Sequence, residues 1–247
     1  CVYGTNPLRN DSKLLRINPF SFPTKEIHVL EHLDRLVEIF NVCWPMYAAM
    51  PVVLKDAMER AYVSVGWDLV KSENKHSNLL FPTFRDVMIQ IKQVLDESDY
   101  SNDNKSDYKG SLVTRLTSLT NGINGLIFSN DEIPEKSLFD ENAIIDLSRV
   151  GSVETKSLIM GVLILKLQEY RMQNSILNTS LNHVTVLEEA HNILKRTSAE
   201  QQMESANLAG KSVEMLSNAI AEMRTYGEGF IIVDQAPNLL DMSVIRN

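Results

Sequence analysis

Two adjacent carboxylates follow a short run of strand-forming residues in the last third of the chain. The run 184–187 (VTVL) leads directly into Glu188 and Glu189, and its β-branched residues predict a buried strand. In phosphoryl-transfer sites, one acid at such a strand end holds Mg²⁺, usually through water, and a second acid polarises the attacking water. Mg²⁺ keeps several waters, so one protein carboxylate suffices. The alternative is an acidic helix N-terminus, where the charges only stabilise the helix dipole.

One stretch of the chain resembles a phosphate-binding loop of the pattern GxxxxGK[ST]. The segment 205–212 (SANLAGKS) ends in Gly210, Lys211 and Ser212, but Ser205 replaces the first glycine. It follows a polar helical stretch instead of a buried strand, and it comes after the acidic pair. We therefore predict that Gly210 bends or ends a helix. A true phosphate-binding loop is expected upstream of Cys1; the alternative is a protein that has lost this loop.

Other suggestive spacings favour structural roles. Glu188 and His191 have the Glu-x-x-His spacing of di-iron bundles, and Glu73 and His76 repeat it, but neither pair lies on a long apolar helix as a bundle requires. Ser148 lacks the G-x-S-x-G turn that a serine hydrolase needs. His191 is therefore predicted to be a helix-start or subunit-contact residue.

Three apolar runs that end in polar or acidic residues alternate with helical patterns in the second half of the chain. The runs cover residues 143–147, 183–189 and 229–235, and helices are predicted at 154–172 and through 217–223. This alternation favours a parallel sheet with crossover helices. Ligands bind beyond the carboxyl ends of such strands, which is where the acids fall.

The first half of the chain has a different pattern. In the strand-like segment 1–24, Pro19 and Pro23 lie four residues apart and exclude a helix there. Apolar residues at helical spacing predict helices at 28–40, 53–65, 84–95 and 112–119, whereas the polar segment 96–109 is predicted to be a loop. We therefore predict a helical insertion over residues 25–137 within an α/β core formed by residues 1–24 and 138–247.

Composition limits the kind of protein this can be. The chain has 247 residues and a net charge of −8, so any DNA contact must be local, whereas a compact DNA-binding module is usually basic. Two cysteines do not form a disulfide framework, which predicts a reducing, cytoplasmic compartment. No apolar run reaches about 18 residues, so no membrane span is expected.

Several segments together resemble the HerA/FtsK superfamily of ring-forming P-loop ATPases. The segment 187–194 (LEEAHNIL) resembles the Walker B segment, and 221–237 (AEMRTYGEGFIIVDQAP) resembles the basic residue, glycines and strand that end in Gln, a small residue and Pro. The segment 145–151 (IDLSRVG) resembles the strand and loop before Walker B in bacterial HerA-like proteins. The segment 17–20 (INPF) and the helices after it also resemble this family.

The resemblance implies a role for each matching residue. Glu189 would be the catalytic glutamate that activates water, and Glu188 would take the Mg²⁺ side, where the general pattern has Asp. Gln235 would be the sensor that reads the γ-phosphate of ATP. Arg224 and Arg149 would have interface or sensor roles, because an arginine supplied across a subunit boundary stabilises transition-state charge; the alternative for each is a surface or salt-bridging residue.

The implied fold is a RecA-like P-loop NTPase core, and the implied activity is ATP hydrolysis that drives translocation along double-stranded DNA. A homo-hexameric ring is expected, with ATP and Mg²⁺ as cofactors and a nuclease as a possible partner. A ring reconciles DNA binding with an acidic surface, because a few basic loop residues per subunit can line a pore. Two alternatives remain: a pump ATPase of the type IV secretion or conjugation type, and a non-catalytic oligomeric scaffold.

Overall fold

The protein has a mixed α/β structure with small parallel sheets and many helices, as the sequence predicts. The computed structural model describes residues 1–174, 176–195 and 203–246. The chain divides into two compact units: the first comprises Cys1–Val37 and Ala49–Arg149, and the second comprises Glu38–Ala48 and Val150–Asn247. The predicted partition into a RecA-like core and an insertion at 25–137 remains a prediction.

The first unit contains a three-stranded parallel sheet. Its strands are β1 (Val2–Gly4), β2 (Lys13–Leu14) and β5 (Ile144–Asp146), with β1 in the centre. Two further strands, β3 (Trp67–Asp68) and β4 (Glu73–Asn74), pair antiparallel. The sheet thus joins the two ends of this unit's sequence, with the helices encoded between them.

Helices make up most of the first unit, and three of the predicted amphipathic segments are confirmed with small shifts at their ends. The long helices are α1 (Val29–Cys43), which continues into the second unit, α2 (Met50–Ser64), α3 (Phe84–Glu97) and α4 (Asn102–Thr120). Two short helices follow, α5 (Gly122–Ile127) and α6 (Glu135–Phe139). The start of α3 is fixed by the carboxylate of Asp86, which accepts a 2.7 Å hydrogen bond from the N–H of Thr83.

The loop predicted at 96–109 is wrong over most of its length, because α4 begins at Asn102. The hydroxyl of Ser101 caps this helix by accepting a hydrogen bond from the N–H of Asn104. The apolar stripe of α4 starts at Tyr108, four residues before Leu112, and both side chains are buried. The polar composition of this segment led to the loop prediction. A helix forms there because burial of one helix face in the tertiary structure stabilises a helix of poor intrinsic propensity.

An aromatic cluster fills the core of the first unit. Phe20 packs edge-on against Phe84 with ring centroids 5.2 Å apart, and Phe22 stacks on His32 at 4.9 Å. The buried Asn18 donates hydrogen bonds from Nδ2 to the backbone oxygen of Pro82 (3.0 Å) and to Oδ1 of Asn130 (2.6 Å). The segment 17–20 therefore fixes the chain turn that leads into α1.

The second unit is built on a β–α–β crossover preceded by a long buried helix. The elements are α7 (Val153–Asn174), β6 (His183–Glu188), α8 (Met203–Glu222), β7 (Glu228–Val233) and the short α9 (Met242–Arg246). β6 and β7 are parallel and adjacent, as an α-helical crossover requires. No helix among the described residues is both long and apolar enough to span a lipid bilayer.

Two sequence-based expectations change here. The runs at 144–146, 183–188 and 228–233 do form strands, but β5 pairs with β1, whereas β6 and β7 pair with each other. Among the described residues they therefore do not form one hydrogen-bonded sheet. The segment 205–212 lies inside α8, so Gly210 does not end a helix; the prediction that this segment is not a phosphate-binding loop is confirmed.

A buried ionic cluster fixes the register of β6 and β7 at their amino ends. The carboxylate of Glu228 is fully buried and accepts hydrogen bonds from Arg171 Nε (2.9 Å) and Thr185 Oγ1 (2.7 Å). It also lies 2.8 Å from Nδ1 of His183, the residue paired with Glu228 in the ladder. Because three donors surround it, this charge is compensated in the core, and it ties α7 to both strands.

Candidate functional site

The carboxyl ends of β6 and β7 coincide, because the last ladder pair joins Glu188 to Val233. One more hydrogen bond extends the ladder, from the N–H of Glu189 to the oxygen of Val233 (2.9 Å). Glu188, the last residue of β6, therefore lies at the same edge as the residues that follow the two strands, which are Glu189 after β6 and Asp234 and Gln235 after β7. Parallel strands present their ligand-binding groups at this edge.

Glu189 adopts a left-handed backbone conformation, with φ 53° and ψ 43°. A side-chain-bearing residue in this region costs about 1–2 kcal/mol, so the surrounding structure must hold it there. Its carbonyl oxygen accepts hydrogen bonds from both the N–H (3.0 Å) and the Nδ2 (2.9 Å) of Asn192. The chain then makes a 3₁₀ turn over Ala190–Asn192, which changes its direction sharply at the acid.

Asp234 fastens the end of β7 to this turn. Its side chain is 2% exposed and accepts hydrogen bonds from the N–H groups of His191 (2.8 Å) and Ala236 (2.8 Å). The Nδ1 atom of His191 lies 3.0 Å from Oδ2 of Asp234 and 3.5 Å from Oε2 of Glu189. Burial alone would raise the pKa of Asp234, but the hydrogen bonds from Ala236 and His191 outweigh it and lower that pKa.

Glu188 and Gln235 are both exposed at this edge. Glu188 lies on the same face of the strand pair as Val184 and Val186, because alternate residues of a strand share a face. An exposed carboxylate at a strand end suits Mg²⁺, which proteins usually bind through one or two carboxylates plus waters and substrate phosphates. Among the described residues, no group of three or more His, Cys, Asp or Glu side chains is arranged to hold a metal ion.

The two predicted arginines lie away from this edge or outside the second unit. Arg224 is exposed in a 3₁₀ turn that precedes β7, so the length of that strand, roughly 20 Å, separates it from the edge that bears Glu189. Arg149 is an exposed residue of the first unit, close after β5. It lies near Asp146, whose pKa is lowered mainly by hydrogen bonds from Ser148 and also by the charges of Arg9 and Arg149. The interface roles of Arg224 and Arg149 stay predictions.

The sequence analysis assigned no role to Asp234 and did not predict the contacts of the His191 ring. His191 lies in the first turn of a short helix, Ala190–Asn192, as predicted for a residue at a helix start, and its ring faces Asp234 and Glu189. One signal was present: Asp234 follows a strand-forming run directly, as Glu188 does. What the sequence did not indicate is the register, which places the two strand ends side by side.

Comparisons with known proteins show a similarity of fold to a solved structure. No protein-family model matches the chain, and no curated protein matches it. Among solved structures, VirB4 of Thermoanaerobacter pseudethanolicus matches with a TM-score of 0.61 and 15% sequence identity, over 94% of this chain and 57% of that chain. At this identity the likeness concerns the fold. The chain thus spans little more than half the length of this structural neighbour.

Proposed function

We propose that this chain is part of an ATPase of the type IV secretion or conjugation type, in which Glu189 promotes attack of water on the γ-phosphate of ATP. The main support is the edge formed by β6 and β7, where Glu188, Glu189 and Gln235 emerge together. The fold likeness to VirB4, a type IV secretion ATPase, favours the pump over the other motors that the sequence resembles.

The proposed roles follow from the chemistry of each side chain. Mg²⁺, when bound, neutralises charge on the phosphates, and Glu188 would hold it on the strand side through water. Glu189 would orient and polarise the attacking water, and Gln235 would contact the γ-phosphate from the end of β7.

A second candidate function is translocation of double-stranded DNA by a hexameric ring. The resemblance of segments 187–194 and 221–237 to HerA/FtsK ATPases supports it. The two functions use the same hydrolytic site and differ in what the motor moves. Stimulation of hydrolysis by duplex DNA separates them.

The test is steady-state ATP hydrolysis by the full-length protein, with and without duplex DNA, for the wild type and Glu189→Gln. The substitution keeps the size of the side chain but removes the carboxylate. We expect hydrolysis to fall at least about 100-fold, the scale on which loss of a positioned acid–base group acts, while ATP binding is retained. Glu214→Gln is the matched control, because Glu214 is an exposed residue of α8 in the same unit.

Each result has a defined meaning. Loss of hydrolysis in Glu189→Gln but not in Glu214→Gln supports the ATPase, and DNA stimulation then selects the translocase over the pump. A wild type that does not hydrolyse ATP, or a Glu189→Gln variant with unchanged hydrolysis, contradicts the proposal and favours the non-catalytic scaffold.

A further inference from the structure

Asp234 and His191 form a partly buried link that the proposed hydrolysis does not itself use. Three nitrogens contact the Asp234 carboxylate within 3.1 Å: the backbone N of His191, the Nδ1 of His191 and the backbone N of Ala236. A carboxylate that is 2% exposed and surrounded by nitrogen donors acts as a fixed anchor. The anchor stands at the end of β7, and the group it holds is two residues beyond Glu189.

We infer that Asp234 and His191 are positioning residues for the Glu189 carboxylate, a role that rests on the proposed ATP hydrolysis. Asp234 holds both the backbone and the ring of His191, and the ring then stands beside Glu189, with Nδ1 3.5 Å from Oε2. The ring therefore limits the directions in which the Glu189 side chain can point.

The link also determines the tautomer of His191. Because the Asp234 carboxylate only accepts hydrogen bonds when ionised, the neutral imidazole must carry its proton on Nδ1. Nε2 is then an acceptor, and none of the hydrogen bonds found among the described residues uses it. This protonation pattern is a direct and measurable consequence of the geometry.

The backbone of Glu189 explains why such a link would matter for rate. A left-handed residue relaxes to an ordinary conformation unless its surroundings hold it. Without the tie between β7 and the turn, the carboxylate would shift relative to the strand ends. A displacement of about 1 Å in a catalytic group can cost about 100-fold in rate.

Three substitutions test the inference in the full-length protein. His191→Ala removes the ring and its donor, whereas His191→Asn keeps an N–H donor near the place of Nδ1. We expect His191→Ala to lower kcat about 10- to 100-fold, the effect seen when supporting groups are lost, with little change in KM. His191→Asn should restore most of the rate. Asp234→Asn should also lower kcat, because it weakens the hold on both the ring and the backbone of His191.

A second measurement does not depend on hydrolysis. Nitrogen NMR of the labelled imidazole should show the Nδ1–H tautomer of neutral His191 in the wild type, and its loss in Asp234→Asn. Finding the Nε2–H tautomer in the wild type overturns the inference, whatever the hydrolysis results are.

The remaining outcomes separate this inference from the proposed function. If Glu189→Gln is inactive but His191→Ala has the kcat of the wild type, the ATPase stands and the positioning role is wrong. The role is also wrong if His191→Asn is as slow as His191→Ala. A wild type without hydrolysis removes the proposed function, and the positioning role with it, even where NMR finds the Nδ1–H tautomer.

Discussion

At the residue scale, Glu189 carries its carboxylate on a backbone with φ 53° and ψ 43°. The neighbouring Glu188 has an ordinary strand backbone, so the two acids leave β6 in different directions. This difference lets one carboxylate face the metal side and the other face the water in the proposed reaction. The cost is local strain, which active sites commonly store.

Replacing Glu189 by glycine should separate stability from activity. Glu189→Gly and Glu189→Ala both remove the carboxylate, so neither variant should hydrolyse ATP. Glycine tolerates a positive φ and alanine does not, so we expect Glu189→Gly to be more stable than Glu189→Ala by about 1 kcal/mol. Urea unfolding of the two variants measures the difference. Equal stability would mean that residue 189 does not have a left-handed backbone in solution.

Because of the anchor residue Asp234, the free energy of unfolding should depend on pH in the acidic range. Its pKa is lowered in the folded protein from an ordinary value of 3.8, so the unfolded chain takes up a proton more readily. The stabilisation is therefore complete above that ordinary value and is lost as pH falls through the lower, folded value. We expect the stability gap between the wild type and Asp234→Asn to shrink as the pH falls below about 3.8. Urea unfolding across this range tests it; a constant gap would contradict it.

At the element scale, the register of β6 and β7 decides which side chains meet. Glu228 fixes that register at one end through His183 and Arg171, and Asp234 fixes the other end through His191. A slip of one residue would move every side chain to the opposite face. It would also separate Glu189 from Asp234. The contacts at the strand ends are therefore as important for the geometry of the site as the pairing along the strands.

The turn into β7 depends on Gly227. This residue has φ 79°, and a Cβ placed on it would lie 2.6 Å from the carbonyl oxygen of Ser180. Gly227→Ala should therefore destabilise the protein by at least about 1–2 kcal/mol, because left-handed strain and a backbone collision add.

A matched control for Gly227→Ala lies in α4. Gly110 is inside that helix, and a Cβ added to it would meet no atom within 4 Å, so Gly110→Ala should stabilise by about 0.5–1 kcal/mol. Thermal unfolding of both variants should give shifts of opposite sign. A Gly227→Ala variant as stable as the wild type would contradict the turn geometry at Gly227.

At the scale of the whole molecule, the strand pair β6–β7 has one face open to solvent. Four aliphatic side chains on that face are 41–55% exposed: Val184, Val186, Ile231 and Val233. Parallel sheets are usually covered on both faces, and Glu188 lies at the end of this same open face. A separate property of the whole molecule is its net charge of −8, which restricts any nucleic-acid contact to local groups.

The sequence by itself determined the local features of this protein. Runs of β-branched residues predicted β6 and β7 and placed Glu188, Glu189 and Gln235 after them, since strand formation and the polar residues at strand ends depend on near neighbours. Apolar spacing predicted α1, α2, α3 and α7 for the same reason. The same reasoning predicted only the second half of α4. The polar composition of the first half led to a loop prediction, although the apolar stripe of this helix begins there at Tyr108.

Only the tertiary structure decided which strands pair and which polar groups meet. Strands of similar pattern can pair in several ways, and the pattern did not show that β5 joins β1 while β6 joins β7. The link from Asp234 to His191 spans 43 residues of sequence, and it exists because the parallel register aligns the two strand ends. The left-handed backbone of Glu189 depends on the same register. The hydrogen bonds that hold this residue are made with Val233 of β7 and with Asn192 of the turn that Asp234 anchors.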